Sequence, residues 1–244
     1  VLDDFLPEDL ANQLLNEFPN VHSDLWIVGH DKDKNGIKFA KDNPFEKKML
    51  AVSDRSRFPN VHCEVFDYFD SQDFIDLVKK ITGIEDLGID ISGKHSGLRG
   101  MLNGSHQHVH SDAVTHPITG LRKRLSMLLY LNKCWKTEFN GCLEIWNDEM
   151  THCVEKIEPL FNRLVIFECT EKSYHGVPET INFKNDEKMR MSLITSYMSR
   201  LNVDENGRKR AKFVARPNDR NDEEMEKLRR DRSSIDQKNK HRFV

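Results

Sequence analysis

The chain has 244 residues and a formal net charge of −3 at neutral pH. This length allows one well-packed domain with a sizeable core, or two small domains. The charge gives no general argument for a nucleic acid or an anionic membrane as a partner. No apolar run approaches the roughly 20 residues that cross a bilayer, and we expect no secretory signal at the start.

Cysteine usage indicates a reducing environment. The five cysteines are scattered, odd in number and form no Cys-x-x-Cys pair. Neither a disulfide framework nor a zinc ribbon is therefore favoured. We expect a cytoplasmic protein without a membrane partner.

The N-terminal region, residues 1–96, is predicted to be a helical and loop-rich support. Pro7 fits the first turn of a helix whose apolar residues recur on one face. Ser71 can cap a second helix, which Gly83 ends. Residues 29–60 are rich in Asp, Lys, Asn and Gly, and this composition predicts long loops.

From about residue 97 the sequence changes to short runs with strand character, separated by turns. The predicted strands are 97–103, 107–113, 124–131, 142–147, 153–158, 163–168, 174–178 and 190–199. Several short strands at this spacing indicate a sandwich or barrel rather than a βαβ fold. Eight strands are enough for a jelly roll, so residues 97–201 are predicted to form a mainly β core.

The last region, residues 202–244, is a charged C-terminal extension. Glu223 and Lys227 lie at helical i,i+4 spacing, as do Glu226 and Arg230. We interpret this extension as a solvated helix that packs loosely on the same structural domain. The alternative, which is less favoured, is a tail that binds nucleic acid or a protein partner. We do not expect a nucleic-acid partner.

The central region carries a ligand set for a metal ion. His110 and Asp112 point to the same face of a strand because side chains alternate, and His175 begins another predicted strand. Two histidines and one carboxylate form the facial triad that holds non-haem Fe(II) and leaves coordination positions open. The His-x-Asp pair alone is weak evidence in a chain with eleven histidines. His106 and His108 also alternate into this run, so a cupin-like three-histidine site stays open, although a surface or supporting role is favoured for both.

Arg190 follows the distal histidine on the last predicted strand. A guanidinium grips a carboxylate with two hydrogen bonds, and a buried arginine without a partner is costly. A buried Arg190 is therefore expected to face an anion, such as one end of a dicarboxylate co-substrate. The metal pair, distal histidine and arginine occur in this order on strand-like segments, and together they predict an enzyme that activates dioxygen.

The stretch 98–199 resembles a known family through several motifs. Gly104 stands six residues before His110, as in a Gly-x5-His-x-Asp pattern, and residues 190–193 resemble an Arg-x-Ser segment. Further matching segments are Tyr130-Leu131-Asn132-Lys133 followed by Trp135, Gly141-Cys142-Leu143-Glu144-Ile145-Trp146, Ile157-Glu158-Pro159 and residues 162–167. These segments are similar to those of the 2-oxoglutarate and Fe(II)-dependent dioxygenases. Within that superfamily they resemble the prolyl 4-hydroxylase-like branch, which includes hypoxia-factor-type and bacterial prolyl hydroxylases.

The resemblance implies a fold and a metal centre. The implied fold is a double-stranded β-helix (jelly roll) core, with N-terminal helices packed on it and a charged C-terminal helical tail. His110, Asp112 and His175 are the implied Fe(II) ligands. The implied reaction consumes O2, decarboxylates 2-oxoglutarate to succinate and hydroxylates an unactivated C–H bond of the substrate, with ascorbate as an accessory reductant.

The resemblance also implies where 2-oxoglutarate binds. Its distal carboxylate would pair with Arg190, assisted by the hydroxyl of Tyr130. Gln107 and Ser192 are further candidates for co-substrate contacts. We expect no catalytic residue beyond the ligands of the metal and of the co-substrate.

Three departures from the prolyl hydroxylases lie near the expected pocket. Gly100 or Met101 and then Gln107 stand where those enzymes have tyrosines, and Ser196 stands where the hypoxia-factor enzymes have a tryptophan. The substrate is therefore open to change. A peptidyl-proline or a related small molecule remains the leading candidate.

Two alternatives stay open at this stage. One keeps the same cofactor chemistry but acts on a nucleobase or a sugar. The other is a non-catalytic jelly-roll binding module. Lys123 and Arg124, beside the predicted pocket mouth, are interpreted as solvated surface charges rather than contacts for an acidic substrate.

Overall fold

The computed structural model of the chain describes residues 1–26, 31–32, 38–39, 43–93, 95–203 and 207–234. Within these residues the helices are α1 (Glu8–Asn16), α2 (Asn60–Asp70), α3 (Gln72–Thr82) and α4 (Glu223–Ser233). The strands are β1 (Asp31–Lys32), β2 (Lys38–Phe39), β3 (Glu46–Val52), β4 (Gly88–Ile89), β5 (Gly97–Ser111), β6 (Leu121–Tyr130), β7 (Leu143–Trp146), β8 (Cys153–Ile157), β9 (Arg163–Glu168), β10 (His175–Val177), β11 (Arg190–Val203) and β12 (Lys212–Phe213). Short 3₁₀ turns lie at Arg55–Arg57 and Thr137–Phe139. No helix in this described part of the chain is long and apolar enough to cross a membrane.

Ten of the strands form one curled sheet, and seven of them follow the order β8-β7-β10-β5-β11-β6-β9. β3 and β12 also pair with β5, and β4 pairs with β11. The beginning of β5 pairs with β11, with Arg190 opposite Met101, whereas its end pairs with β10, with His175 opposite His110. The sheet therefore folds over on itself along β5, and the predicted double-stranded β-helix is confirmed.

All eight predicted runs lie on strands of this sheet, but the runs 97–103 and 107–113 belong to the single strand Gly97–Ser111. Gly104 lies between them with a φ of +80°, a conformation that glycine adopts at little cost. Its N–H donates to the carbonyl of Ile181 at 2.8 Å. A bend within a continuous strand, rather than a turn, therefore separates the two halves of the sheet.

The N-terminal helices pack on the face of the sheet opposite its interior. As predicted, the hydroxyl of Ser71 accepts a hydrogen bond from the Phe74 N–H at 3.3 Å, and Gly83 ends α3 with a φ of 70°. The main hydrophobic core lies between these helices and the sheet. Within it, the Tyr197 hydroxyl donates to the carbonyl of Phe69 at 2.8 Å and ties β11 to α2.

The prediction of loops throughout residues 29–60 is wrong where the structure describes that segment. β3, with the sequence Glu-Lys-Lys-Met-Leu-Ala-Val, lies within it. Much of the remaining segment lies outside the described residues. β3 exists because it pairs with β5 from Glu46 opposite Gln107 to Val52 opposite Leu98. Long-range pairing of this kind leaves little trace in a charged local sequence.

The predicted C-terminal helix is present, but the prediction that it packs loosely is wrong. Met225 is 8% exposed and belongs to a hydrophobic cluster with Phe45 and Phe213. Arg232 Nη2 lies 3.3 Å from Glu46 Oε2. The division of the chain at 1–96, 97–201 and 202–244 stays a prediction.

His62 on α2 is a fully buried histidine away from the interior of the curled sheet. Its exposed fraction is 0%, and its ring meets the Phe18 ring edge-on at 5.8 Å. Burial lowers the pKa of His62 from 6.5 to about 4, although the nearby Glu17 opposes this shift. The folded state therefore holds this imidazole in its neutral form.

We expect His62 to destabilise the fold in acid. Because its folded pKa is depressed, the unfolded chain takes up the proton first, so stability present above pH 6.5 is lost as the pH falls to 4. The loss amounts to about 3 kcal/mol at pH 4. His62→Leu should make the free energy of unfolding, measured in urea at pH 7, 5.5 and 4, less dependent on pH. The exposed His22→Leu is the control, and a wild-type pH slope in His62→Leu would contradict this assignment.

Candidate active site

A cavity of about 390 Å³ lies inside the curled sheet. Its lining comes mainly from β3, β5, β6, β10 and β11, because alternate residues of these strands point to the interior. The first part of β11 shows this alternation, since the cavity is lined by Arg190, Ser192, Ile194 and Ser196. The polar groups discussed below therefore face one enclosed space.

His110, Asp112 and His175 meet at one side of this cavity. One ligand atom from each residue lies within 4.8 Å of the other two. His110 Nε2 is 3.5 Å from Asp112 Oδ1, and His175 Nε2 is 3.9 Å from Asp112 Oδ2. The two imidazole centroids are 4.5 Å apart. The structure thus brings together the three residues that the sequence predicted as metal ligands.

Both imidazoles are oriented by backbone carbonyls. His110 Nδ1 lies 2.9 Å from the carbonyl of His108, and His175 Nδ1 lies 2.9 Å from the carbonyl of Ser173. A carbonyl only accepts hydrogen bonds, so each Nδ1 carries a proton, and Nε2 is the ring nitrogen left to bind a metal. Burial, together with the neighbouring His110, lowers the pKa of His175 to about 4. His175 is therefore neutral at pH 7, as a metal ligand must be.

Asp112 is held by residues of β6. Its Oδ2 accepts hydrogen bonds from Lys123 Nζ at 2.6 Å and from the Ser126 hydroxyl at 3.1 Å. Burial by itself would raise the pKa of Asp112, but the Lys123 ammonium and the two histidines hold it well below its usual value. The carboxylate is therefore ionised and fixed in position.

The interpretation of Lys123 as a solvated surface charge is wrong. Lys123 is 5% exposed and forms an ion pair inside the cavity. Arg124, in contrast, pairs with Glu168 at 3.4 Å, and its side chain is 25% exposed. Of the two adjacent cations, only Lys123 belongs to the site.

Arg190 lies in the same cavity and is 4% exposed. Its Nε donates to the Gly141 carbonyl at 2.8 Å, and its Nη2 donates to the Tyr130 hydroxyl at 3.1 Å. Nη1 contacts Met101 Sδ at 3.7 Å. Among the described residues, none of its partners is a carboxylate. Arg190 is thus a buried cation that fits a bound anion.

Gln107 and Ser192 are the other predicted contacts of the co-substrate. Gln107 and Ser192 both line the cavity, but the Gln107 amide already donates to Glu46 Oε1 at 3.2 Å. The rings of His106 and His108 pack on one another at 5.3 Å and lie outside the triad. A three-histidine site is therefore not the arrangement seen.

Several residues at the site were not predicted. Glu46, which also lines the cavity, lies on the unexpected strand β3. Lys123 and Ser126 hold Asp112, and Arg99 lines the cavity from β5. For Ser126 and Arg99, strand alternation from Tyr130 and Met101 was a usable signal. For Lys123 there was none, because a bulge in the pairing with β11 changes the phase between residues 125 and 123.

Comparison with known proteins agrees with the family resemblance of the sequence. Residues 97–198 match the model of the 2OG-Fe(II) oxygenase superfamily. No curated protein sequence matches the chain. Three similar solved structures are informative about the fold.

The first is a prolyl hydroxylase from Trichoplax adhaerens in complex with a peptide fragment of the oxygen degradation domain of hypoxia inducible factor. It is 18% identical over 81% of this chain and 82% of that chain, with a TM-score of 0.54. A prolyl-4-hydroxylase from Pseudomonas putida is 16% identical over 82% and 90% of the chains, with a TM-score of 0.51. HygX from Streptomyces hygroscopicus, with nickel and 2-oxoglutarate bound, is 9% identical over 83% of each chain, with a TM-score of 0.50.

The fold and the site define a double-stranded β-helix protein with a His/Asp/His cluster and a buried arginine in its cavity. With this match, residues 97–198 form a 2OG-Fe(II) oxygenase domain, and the chain has the prolyl hydroxylase-like fold. It is a 2-oxoglutarate-dependent dioxygenase that catalyses hydroxylation and uses Fe(II), 2-oxoglutarate and O2.

Lys123 holds the Asp112 carboxylate, and the effect of this contact on metal binding can be measured. Lys123→Met leaves the Asp112 carboxylate without its cation, and we expect metal affinity to fall by about 10- to 100-fold, as for other groups that orient metal ligands. Lys123→Arg keeps the charge and should lose less. Competition with a chelating dye measures the Zn(II) dissociation constant without turnover. Arg124→Met is the matched control, and equal affinities in Lys123→Met and this control would refute the role of Lys123.

Proposed function

We propose that this dioxygenase hydroxylates a prolyl residue or a related small substrate, with His110, Asp112 and His175 as its Fe(II) ligands. We further propose that Arg190 binds the distal carboxylate of 2-oxoglutarate. One observation carries the proposal: a buried arginine without an acidic partner among the described residues shares a cavity with the triad. A dicarboxylate that reaches from the metal to Arg190 satisfies both groups.

The metal assignment is supported by the chemistry of the donor atoms. Two Nε2 lone pairs and one carboxylate oxygen suit Fe(II), and three protein ligands leave positions for co-substrate and O2. Lys123 and Ser126 both bind Asp112 Oδ2, which favours Oδ1 as the oxygen that contacts the metal.

The co-substrate assignment is supported by the donors around Arg190. The Tyr130 hydroxyl accepts a hydrogen bond from Arg190, so its own proton remains available for a carboxylate oxygen. Arg190 supplies the charge, and Tyr130 supplies a further directed hydrogen bond. Ser192 and Gln107 remain proposed contacts, of which Ser192 is favoured because Gln107 already binds Glu46.

When bound, Fe(II) and 2-oxoglutarate supply the oxidation of a substrate C–H bond by O2, with 2-oxoglutarate decarboxylated to succinate. The protein contributes position and exclusion of water. Leu128, Leu143 and Val177 line the same cavity as the triad, and an apolar wall limits the water that can reach a reactive centre. His110 and His175 are already oriented by backbone carbonyls, so little reorganisation accompanies binding.

The substrate remains the open part of the proposal. Met101 and Ser196 line the cavity. The resembled prolyl hydroxylases have a tyrosine at the position of Gly100 or Met101, and the hypoxia-factor enzymes have a tryptophan where Ser196 stands, so the shape of the cavity beside the co-substrate differs. The direct test measures succinate formation from 2-oxoglutarate with Fe(II), with and without prolyl peptides or free L-proline. We also propose a cytoplasmic setting, which the five free cysteines support.

Asp112→Ala should remove an iron ligand and also leave Lys123 without its partner. We expect Fe(II) affinity to fall by about 100-fold or more, beyond the loss of an orienting residue, and succinate formation to cease. Isothermal titration under nitrogen and a succinate assay measure the two effects. The exposed Asp148→Ala is the control. Turnover at the wild-type rate in Asp112→Ala would contradict the ligand assignment.

Arg190→Gln should weaken 2-oxoglutarate much more than the metal. Loss of one partner of a buried charged pair costs at least about 2 kcal/mol, so the dissociation constant should rise by about 30-fold or more. Tyr130→Phe removes one hydrogen bond and should raise it by about tenfold or less. Titration of the Zn(II)-loaded protein with 2-oxoglutarate measures both variants. An unchanged constant in Arg190→Gln, with Zn(II) still bound, would exclude the clamp.

A further inference from the structure

Arg99 is a second arginine in the cavity that has no acidic partner among the described residues. It lies on β5, lines the cavity and is partly exposed. Nη1 donates to the carbonyls of Val52 at 3.2 Å and Leu98 at 2.9 Å, and Nη2 donates to the Ser53 hydroxyl at 3.2 Å. All three acceptors are neutral. A guanidinium has five N–H donors, so two remain for a ligand.

The local backbone is built to hold this guanidinium. Gly97 has a φ of +143°, and a Cβ at that position would lie 2.1 Å from the Val52 carbonyl oxygen and 2.8 Å from Arg99 Nη1. A side chain at position 97 would therefore collide with the backbone of β3 and would also crowd the guanidinium of Arg99. Burial lowers the pKa of Arg99 to about 10, which leaves the group charged at neutral pH.

Arg99 and Arg190 occupy separate positions on adjacent strands. Arg190 lies opposite Met101 in the β5–β11 register, and Arg99 lies opposite Ser192. Arg190 is almost fully buried and contacts Tyr130, whereas Arg99 is open to the cavity and borders β3. One dicarboxylate that ends at Arg190 leaves Arg99 for a different ligand.

The charges that line the cavity support a second anion. Asp112 pairs with Lys123 at 2.6 Å, and Glu46 pairs with Arg232 at 3.3 Å. Bound Fe(II) and 2-oxoglutarate have equal and opposite charges. Because the distal carboxylate of 2-oxoglutarate is assigned to Arg190, Arg99 remains without a negative counterpart among the described residues. A cavity with this surplus attracts an anionic substrate and disfavours a neutral one of the same shape.

We propose that Arg99 binds a carboxylate of the substrate, so that the enzyme acts on a small free acid, such as an imino or amino acid. An internal prolyl residue of a peptide lacks this group, because its carboxyl is an amide. The inference rests on the proposed function and narrows its substrate class. A bidentate Arg–carboxylate contact would also set the distance from the carboxylate to the hydroxylated carbon.

The test compares acids with their amides on the protein loaded with Zn(II) and saturated with 2-oxoglutarate, which cannot turn over. The probes are L-proline, L-aspartate, acetate and benzoate, each with its primary amide, measured by saturation-transfer NMR. We expect acids to bind at least about tenfold more tightly than their amides, the size of one charge-assisted contact. Equal binding of acids and amides, or binding of neither, would overturn the proposal.

Three variants connect the preference to Arg99. Arg99→Gln should abolish the preference for acids, and Arg99→Lys should keep part of it. Arg124→Gln, an arginine outside the cavity, should behave as wild type. A preference for acids that survives in Arg99→Gln would overturn the proposal. Thermal unfolding checks that the variants fold. If a variant does not fold, the comparison of acids with amides on the wild-type protein still tests the proposal.

The affinity for 2-oxoglutarate distinguishes a failure of the Arg99 proposal from a failure of the proposed function. Its affinity in Arg99→Gln should stay within about twofold of wild type, since Arg190 supplies its contact. A loss of 30-fold or more, about 2 kcal/mol, would assign Arg99 to the co-substrate and overturn its role in substrate binding. If the wild-type protein itself does not bind 2-oxoglutarate, the proposed function fails, and acids and amides are then compared on the protein with Zn(II) alone.

Discussion

The site depends on the pairing of one long strand with two partners. The end of β5 pairs with β10, so that His110 lies directly opposite His175. The beginning of the same strand pairs with β11, so that Arg190 lies opposite Met101. A slip of one residue in either register would turn these side chains to the other face of the sheet. The ladder of hydrogen bonds along β5 therefore determines the distance between the triad and the arginine.

Electrostatics then sets what this cavity can hold. Buried cations are tolerable only when an anion or a set of hydrogen bonds compensates them. Lys123 has Asp112 and Arg232 has Glu46, while Arg190 and Arg99 are held by neutral acceptors. The last two are thus the cations for which the described residues supply no anion. This division is the basis for the proposal that one cavity binds a metal, a dicarboxylate and a further acid at separate positions.

The C-terminal segment, with β12 and α4, packs behind the metal-ligand side of the cavity. Met225 packs with the stacked rings of Phe45 and Phe213, whose centroids are 4.7 Å apart. Phe213 in turn lies 5.1 Å from the ring of His110. The segment that follows the sheet therefore supports an imidazole of the triad, although its composition alone suggested a solvated extension.

The sequence by itself predicted seven strands of the core and the three candidate metal ligands. Alternation puts His110 and Asp112 on one face, and the spacing of the short runs places His175 and Arg190 on later strands of the same sheet. Tertiary structure alone decided the role of Lys123. Counting back from Tyr130 in steps of two places Arg124 inside, but a bulge opposite Met198 inverts the phase and turns Lys123 inward. Periodicity is a local property that a sequence records, whereas bulges and the pairing of distant strands arise only when the sheet closes.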